Sequence, residues 1–151
     1  MRITLFQPDI PQNVGAIIRL AACFGLALDI IEPCGFLWDD RRIRRVGMDY
    51  LDFAEIRRYP SWDAYLAQGP EGRLILLTTK GDRRHLDFRF APDDRLLFGR
   101  ESSGVPPQIH EAAQARLRIP LREAARSLNL AMTAAMVVGE ALRQTDGWPV
   151  I

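Results

Sequence analysis

The stretch "RLLFGRESSGVPPQIHEAAQARLRIPL", residues 95–121, decides the fold. Its first part, "RLLFGRE" (95–101), is a continuous apolar run ending in charge, the look of a strand buried on both faces of a parallel sheet. Glycines at 99 and 104 then bracket Glu101, and Pro106 and Pro107 stop the loop from continuing as a strand. "VPPQIHEAA" (105–113) reads as a short helix with proline near its first turn. "RLRIPL" (116–121) reads as the next strand. Strand, short helix and strand on short links are one turn of an α/β fold.

The same alternation extends outward. "RITLFQ" (2–7) reads as a strand. "PQNVGAIIRLAACFG" (11–25) reads as a helix, with Val14, Ile17, Ile18, Ala21 and Ala22 on one stripe and Gly25 where a C-cap belongs. "ALDIIEP" (27–33) is a buried strand, followed by a short helix around "WDDRRIRRVG" and a weak strand near "FAEIRRY" (53–59). "SWDAYLAQ" (61–68) has Ser61 as a plausible N-cap, and "RLILLTT" (73–79) is another continuous apolar run. A long helix from about Leu128 to Gln144 closes the chain. It carries no charge from Ser127 to Gly139, although a helix with one buried face should not be apolar all round. The fold class expected is α/β: one domain over residues 1–151, with a mainly parallel sheet and helices on both faces.

Composition narrows the function. With 151 residues the chain suits one compact domain. No apolar run reaches the ~18 residues that span a membrane, and "MRITLFQPDI" lacks a secretory signal, which favours the cytoplasm. Cys23 and Cys34 read as buried small residues. Net charge is only +1, but of the 20 lysines and arginines only Lys80 is lysine. Arginines cluster in "RRIRR" (41–45), at Arg57-Arg58 and at Arg83-Arg84, and the guanidinium fork suits phosphate. The plainer account is a solvated helix face, with Asp40 spaced to pair with Arg44.

Common signatures are missing: no dinucleotide-binding G-x-G-x-x-G follows the first strand, and there is no P-loop and no G-x-S-x-G elbow. His85 and His110 have no ligand partner at zinc spacing, so no metal is expected. Parallel sheets bind ligands in loops beyond the carboxyl ends of their strands, here "TTKGD" after 77, "FGRESSGVPP" after 97 and "LREAARSLN" after 121, and three polar islands remain. They are "PQNVGAIIR" with Asn13 and Arg19, "FGRESSGVPP" with Glu101, and "LREAARSLN" with Ser127 and Asn129. Each has a bland reading. Arg19 could snorkel from the core edge, Ser102 and Ser103 could be turn residues, and Ser127 or Asn129 could merely cap the last helix.

Taken together, N-x-G-x-x-x-R (Asn13, Gly15, Arg19), F-G-x-E-x-x-G-x-P (98–106) and R-I-P-L…R-S-L-N-L (118–130) resemble the three motifs of SpoU-type methyltransferases in the SPOUT superfamily. "IIEPCGFLWDDRRIRRVGMDY" and "LTTKG" look closer still to the TrmL branch, the small tRNA wobble-nucleotide 2′-O-methyltransferases. The resemblance implies a C-terminal trefoil knot, which no periodicity could give. It also implies a homodimer whose sites are completed by the partner chain, and S-adenosylmethionine held at Leu77, Gly99, Ile119, Ser127 and Leu128. The implied reaction is methyl transfer to a ribose 2′-hydroxyl at the wobble nucleotide, cytidine or modified uridine, in the tRNA anticodon stem-loop. Met132, Met136 and Gly139 would face a second helix.

Carried over by position, Arg19, Asn13, Glu101, Ser127 and Asn129 are the catalytic candidates. A guanidinium has a pKa of ~12.5 or more, so using one as a base at pH 7 costs about 7 kcal/mol. Arg19 is therefore expected to grip an RNA phosphate and polarise the hydroxyl, with Asn13, Ser127 and Asn129 orienting both partners. Glu101 would sit near the sulfonium or hold Arg19. Arg41, Arg42, Arg44 and Arg45 are the candidates for RNA phosphates. Many relatives follow "NL" with Ser-Asn where this chain has Ala131-Met132, so the site is expected to end at Asn129. The rival readings are a SpoU-type enzyme acting on another tRNA position or ribosomal RNA, and a knotted RNA-binding protein without catalysis.

Overall fold

The computed structural model describes residues 1–47 and 49–151. Seven parallel strands form one sheet in the order β3-β2-β1-β6-β4-β7-β5. They are β1 (Arg2–Phe6), β2 (Ala27–Ile31), β3 (Ile56–Tyr59), β4 (Leu74–Leu77), β5 (Arg83–Arg84), β6 (Arg95–Phe98) and β7 (Ala115–Arg118). The helices are α1 (Pro11–Phe24), α2 (Asp40–Gly47), α3 (Trp62–Gln68), α4 (Pro107–Ala112) and α5 (Leu130–Thr145).

The apolar runs behave as buried central strands because successive side chains alternate between faces, and both faces are covered. Ile75, Leu77, Leu96 and Phe98 join the α1 and α5 side chains Val14, Ile17, Ile18, Val137 and Val138 in one core. Leu74, Leu76 and Leu97 point the other way, against Trp62, Tyr65 and Ile109 of α3 and α4. Expected helix ends hold where a cap defines them. Gly25 closes α1 at φ 63°, a left-handed geometry that glycine adopts without strain, and the Ser61 hydroxyl accepts from the Ala64 amide at 3.1 Å.

Several expectations need correction. Residues 83–84 form β5 on β7, a two-residue strand too short for any period to reveal. Cys23 is exposed and Cys34 only half-buried, because Cys23 falls outside the buried stripe of α1. Burial, followed by the charge of Glu32, pushes the Cys34 thiol up to about 11, which favours the protonated thiol at neutral pH. The long helix starts at Leu130, two residues later than its apolar pattern suggests, because Asn129 is its cap. Arg44 pairs with Asp52 at 2.8 Å, while Asp40 accepts from the Trp38 indole at 3.0 Å.

The strand order sets up the site. β4 and β5 are consecutive in the chain, yet β7 lies between them. The link 78–82 therefore bridges over the end of β7. Gly81 makes the crossing possible, since a Cβ there would lie 2.5 Å from the Leu117 carbonyl carbon. The Thr78 amide donates to the Leu117 carbonyl at 2.9 Å in the same crossing. β6 is likewise inserted between β1 and β4. Segments distant in sequence thus leave the sheet side by side at its carboxyl edge.

Candidate active site

A cavity of about 660 Å³ opens at the carboxyl ends of β4, β6 and β7. That volume falls within the ~300–1,000 Å³ typical of small-molecule sites. Three loops wall it, after Leu77, after Phe98 and after Ile119, together with the start of α5. Leu77, Phe98, Leu117, Ile119, Leu121 and Leu128 supply apolar wall, and loop backbone supplies donors and acceptors.

The loop after β6 turns back on itself. Arg100 and Gly104 exchange backbone hydrogen bonds of 3.0 and 2.8 Å, and Gly104 takes φ 67° to close the turn. Gly99 packs against Gly104 so closely that a Cβ would lie 2.7 Å from its backbone. Glu101 stands within this turn. One of its oxygens accepts from the Asp9 amide at 2.7 Å and the other from Asn13 Nδ2 at 3.1 Å. Asn13 is buried at the start of α1, and its Oδ1 accepts from Asn129 Nδ2 at 2.9 Å. Asn129 Oδ1 in turn caps α5, accepting from the Ala131 and Met132 amides at 2.9 and 3.2 Å. Residues 9, 13, 101 and 129 form one chain of hydrogen bonds across three loops. Such chains hold their members in a single orientation.

Asp9 ties the turn to the β1–α1 loop. Its carboxylate accepts from Arg100 at 2.8 Å, and from the Ser102 amide and hydroxyl at 3.1 and 2.5 Å. Burial resists ionisation of Asp9, but the bonds from Arg100 and Ser102 outweigh it and hold the carboxyl below the usual aspartate range.

Asn13, Glu101, Ser127 and Asn129 all line the cavity, as do Leu77, Gly99, Ile119 and Leu128. Arg19 does not. It is exposed on α1, with its guanidinium 5.2 Å from the centre of the Tyr50 ring. The Glu101 oxygens accept from the Asp9 amide and from Asn13. Arg41, Arg42, Arg44 and Arg45 lie exposed on α2, away from the cavity walls. Beyond Asn129, Leu130 and Thr133 also line the cavity. The first turn of a helix faces whatever lies beyond its cap, so losing two polar side chains there does not remove the wall. Asp9, Lys80 and Arg126 were not among the candidates. Lys80 and Arg126 line the cavity and sit in loops the sequence singled out, whereas "PDIP" carries no motif that would have flagged Asp9. Among the described residues, no cluster of side chains could hold a metal ion, and no helix is long and apolar enough to cross a membrane.

Comparison with known proteins points one way. A family model described as the SpoU rRNA Methylase family matches residues 1–139. A tRNA (cytidine(34)-2′-O)-methyltransferase of Ancylobacter novellus is 53% identical over 150 residues, covering 98% of this chain and 95% of the relative. A solved structure described as giving insight into 2-OH methylation of C/U34 on tRNA superposes with a TM-score of 0.89 at 38% identity, covering 95% and 94% of the two chains. The SpoU methyltransferase AviRb of Streptomyces viridochromogenes, solved with AdoMet, gives 0.81 at 28% identity, covering 95% of this chain and 60% of that one.

Proposed function

The chain belongs to the SpoU methylase family, and we propose that it methylates the ribose 2′-hydroxyl of nucleotide 34, the wobble position, of tRNA. The observation that carries this reading is the hydrogen-bonded chain Glu101–Asn13–Asn129 on the wall of the cavity at the carboxyl edge. It joins the three loops that carry the family's motifs.

The cavity fits S-adenosylmethionine. Its apolar wall suits an adenine ring, the loop backbones suit the ring edge, and Glu101 offers a carboxylate to a cation. Leu77, Gly99, Ile119, Ser127 and Leu128 would hold it. The cofactor supplies a methyl group made electrophilic by its bond to a sulfonium. Everything else falls to this chain and its RNA. Transfer would join the ribose oxygen to the methyl carbon, with the sulfur keeping the electron pair of the bond it loses and the hydroxyl proton passing to water. Asn13 bonds Glu101 and Asn129, and Asn129 bonds Asn13 and the first amides of α5, so both meet the ribose already oriented. Alignment of this kind supplies much of the rate in a two-partner transfer.

Arg19 belongs to the same reading, in trans. α1 presents it outside its own cavity, and a second chain would bring it to the other's site. The exposed apolar groups Ile10, Leu128, Met132 and Met136 lie at the cavity rim and along α5, and a homodimer would cover them. There Arg19 grips a phosphate and polarises the hydroxyl. A trefoil knot is part of the proposal too. The segment 119–129, leaving β7, has to pass the 78–82 link that crosses the end of β7, and it shares the cavity with the 99–104 turn. Residues 1–151 act as one methyltransferase domain in the cytoplasm, and Arg41, Arg42, Arg44 and Arg45 add phosphate contacts.

The test is incubation with labelled S-adenosylmethionine and total tRNA, then mapping of the labelled nucleotide. Label at position 34 is the expected result. Label elsewhere, or in ribosomal RNA only, replaces the substrate assignment; cofactor binding without transfer to any RNA sinks the enzyme reading. For Arg19, Arg19→Lys should lose most activity at every pH with cofactor affinity intact. A retained rate whose basic limb moves toward lysine's pKa would identify it as the base instead.

A further inference from the structure

We infer that Asp9 is a positioning residue for the methyl transfer, acting through Glu101. The inference rests on the function proposed above but makes its own claim about the geometry.

Both oxygens of the Asp9 carboxylate are committed to the two residues that flank Glu101. Oδ1 accepts from Arg100 Nη2 at 2.8 Å and Nε at 3.3 Å. Oδ2 accepts from the Ser102 amide at 3.1 Å and hydroxyl at 2.5 Å. Glu101 lies between these anchors, and the backbone amide of Asp9 donates to its carboxylate at 2.7 Å. One residue therefore fixes the turn on both sides of Glu101 and also holds the Glu101 side chain. Charge-assisted bonds of this kind are short and directional.

The surroundings are built around Asp9. Gly35 approaches so closely that a Cβ would lie 2.6 Å from Asp9 Oδ1, and its amide donates to the Pro8 carbonyl at 2.9 Å. Arg100 is steadied by a further bond to Gln7 Oε1 at 3.2 Å, and Gln7 takes φ 45°, uncommon for a residue other than glycine. Backbone held in a sparsely populated region next to a site is the kind of strain that the surrounding contacts must maintain. From Glu101 the order passes to Asn13 and Asn129, and so to the cap of α5. Losing the Asp9 carboxylate frees the turn while removing no side chain that lines the cavity.

Two measurements test this. First, Asp9→Asn is compared with the parent in kinetics on an anticodon stem-loop RNA, alone and combined with Glu101→Gln. A displacement of about 1 Å can cost about 100-fold in rate. Asp9→Asn should therefore lower kcat by at least about tenfold, with KM for RNA and the dissociation constant of S-adenosylmethionine by calorimetry changing less than about threefold. In the Glu101→Gln background the same substitution should cost almost nothing further. An equal loss in both backgrounds means that Asp9 only supports folding, and an unchanged kcat means that it does not position Glu101. Either result overturns the inference. Second, the side-chain amide signals of Asn13 and Asn129 in labelled protein should shift in Asp9→Asn, and in the milder Ser102→Ala, whose fold is judged by its melting curve. Unmoved signals in a folded variant overturn the inference without any assay of transfer. If the parent transfers no methyl to RNA while the amide signals respond, the function reading fails and the geometric claim stands.

Discussion

At the cavity, each carboxylate oxygen of Asp9 and Glu101 accepts a hydrogen bond from a defined donor. On α2, by contrast, Arg41, Arg42 and Arg45 form no ion pair among the described residues, and only Arg44 is engaged, by Asp52. Both regions are polar and both were legible as unusual in the sequence. They differ in what holds them. The cavity groups are drawn from loops after β1 and β6 and from the start of α5, so each fixes another. The arginines share one short helix, whose Ile43 and Gly47 are buried, and the four guanidinium-bearing residues themselves are exposed. A group with all its bonds made is oriented before a ligand arrives, whereas an unpaired guanidinium is oriented by the ligand. The first arrangement suits chemistry on a defined atom; the second suits phosphates whose positions vary.

Four variants put that contrast at risk. The largest effect is expected for Glu101→Gln, which should lower kcat about 100-fold while the melting temperature moves little, since loss of one preorganised polar group costs about 10²–10³ in rate. A loss under about threefold would mean that the turn is scaffolding. Gly81→Ala tests the crossing beneath the site. Its Cβ would meet backbone at 2.5 Å, and overpacking of this kind costs about 1–3 kcal/mol, readable by urea unfolding. No shift in the unfolding midpoint would show that the link can move aside. Asn129→Ala removes the cap of α5 and should cost about 1 kcal/mol, with a loss of activity larger than that change in stability explains. Neutralising Arg41, Arg42 and Arg45 together should leave kcat at saturating RNA unchanged. It should also flatten the salt dependence of RNA binding by about 0.7–0.9 in log–log slope for each phosphate no longer neutralised. An unaltered slope would make that face a solvated one.

The acid response of the turn follows from Asp9, whose carboxyl is held below the usual range. Because the folded-state value is the lower one, its stabilising contribution is complete above the ordinary aspartate pKa of ~3.9. It fades as the pH falls through the folded value. The fall in melting temperature from pH 5 downward should be shallower for Asp9→Asn than for the parent, and parallel curves would remove Asp9 from the acid response.

Strands, helices and their burial were legible in the sequence, because periodicity and caps are local. Apolar runs at 74–77 and 95–98, the stripe of α1, Gly25 and Ser61 each act within a few residues. The three motifs likewise marked out which loops matter. What depends on contacts between distant segments was not legible. Asp9 has no local pattern; it matters only because β6 lies beside β1 and brings residues 100 and 102 to it. Strand β5 exists only because β7 inserts beside it. Arg19 and Asn13 share one motif, yet helical rotation buries Asn13 against Glu101 and turns Arg19 outward. Which side chains meet is settled by strand order and helix rotation, and neither is carried by any single stretch of the chain.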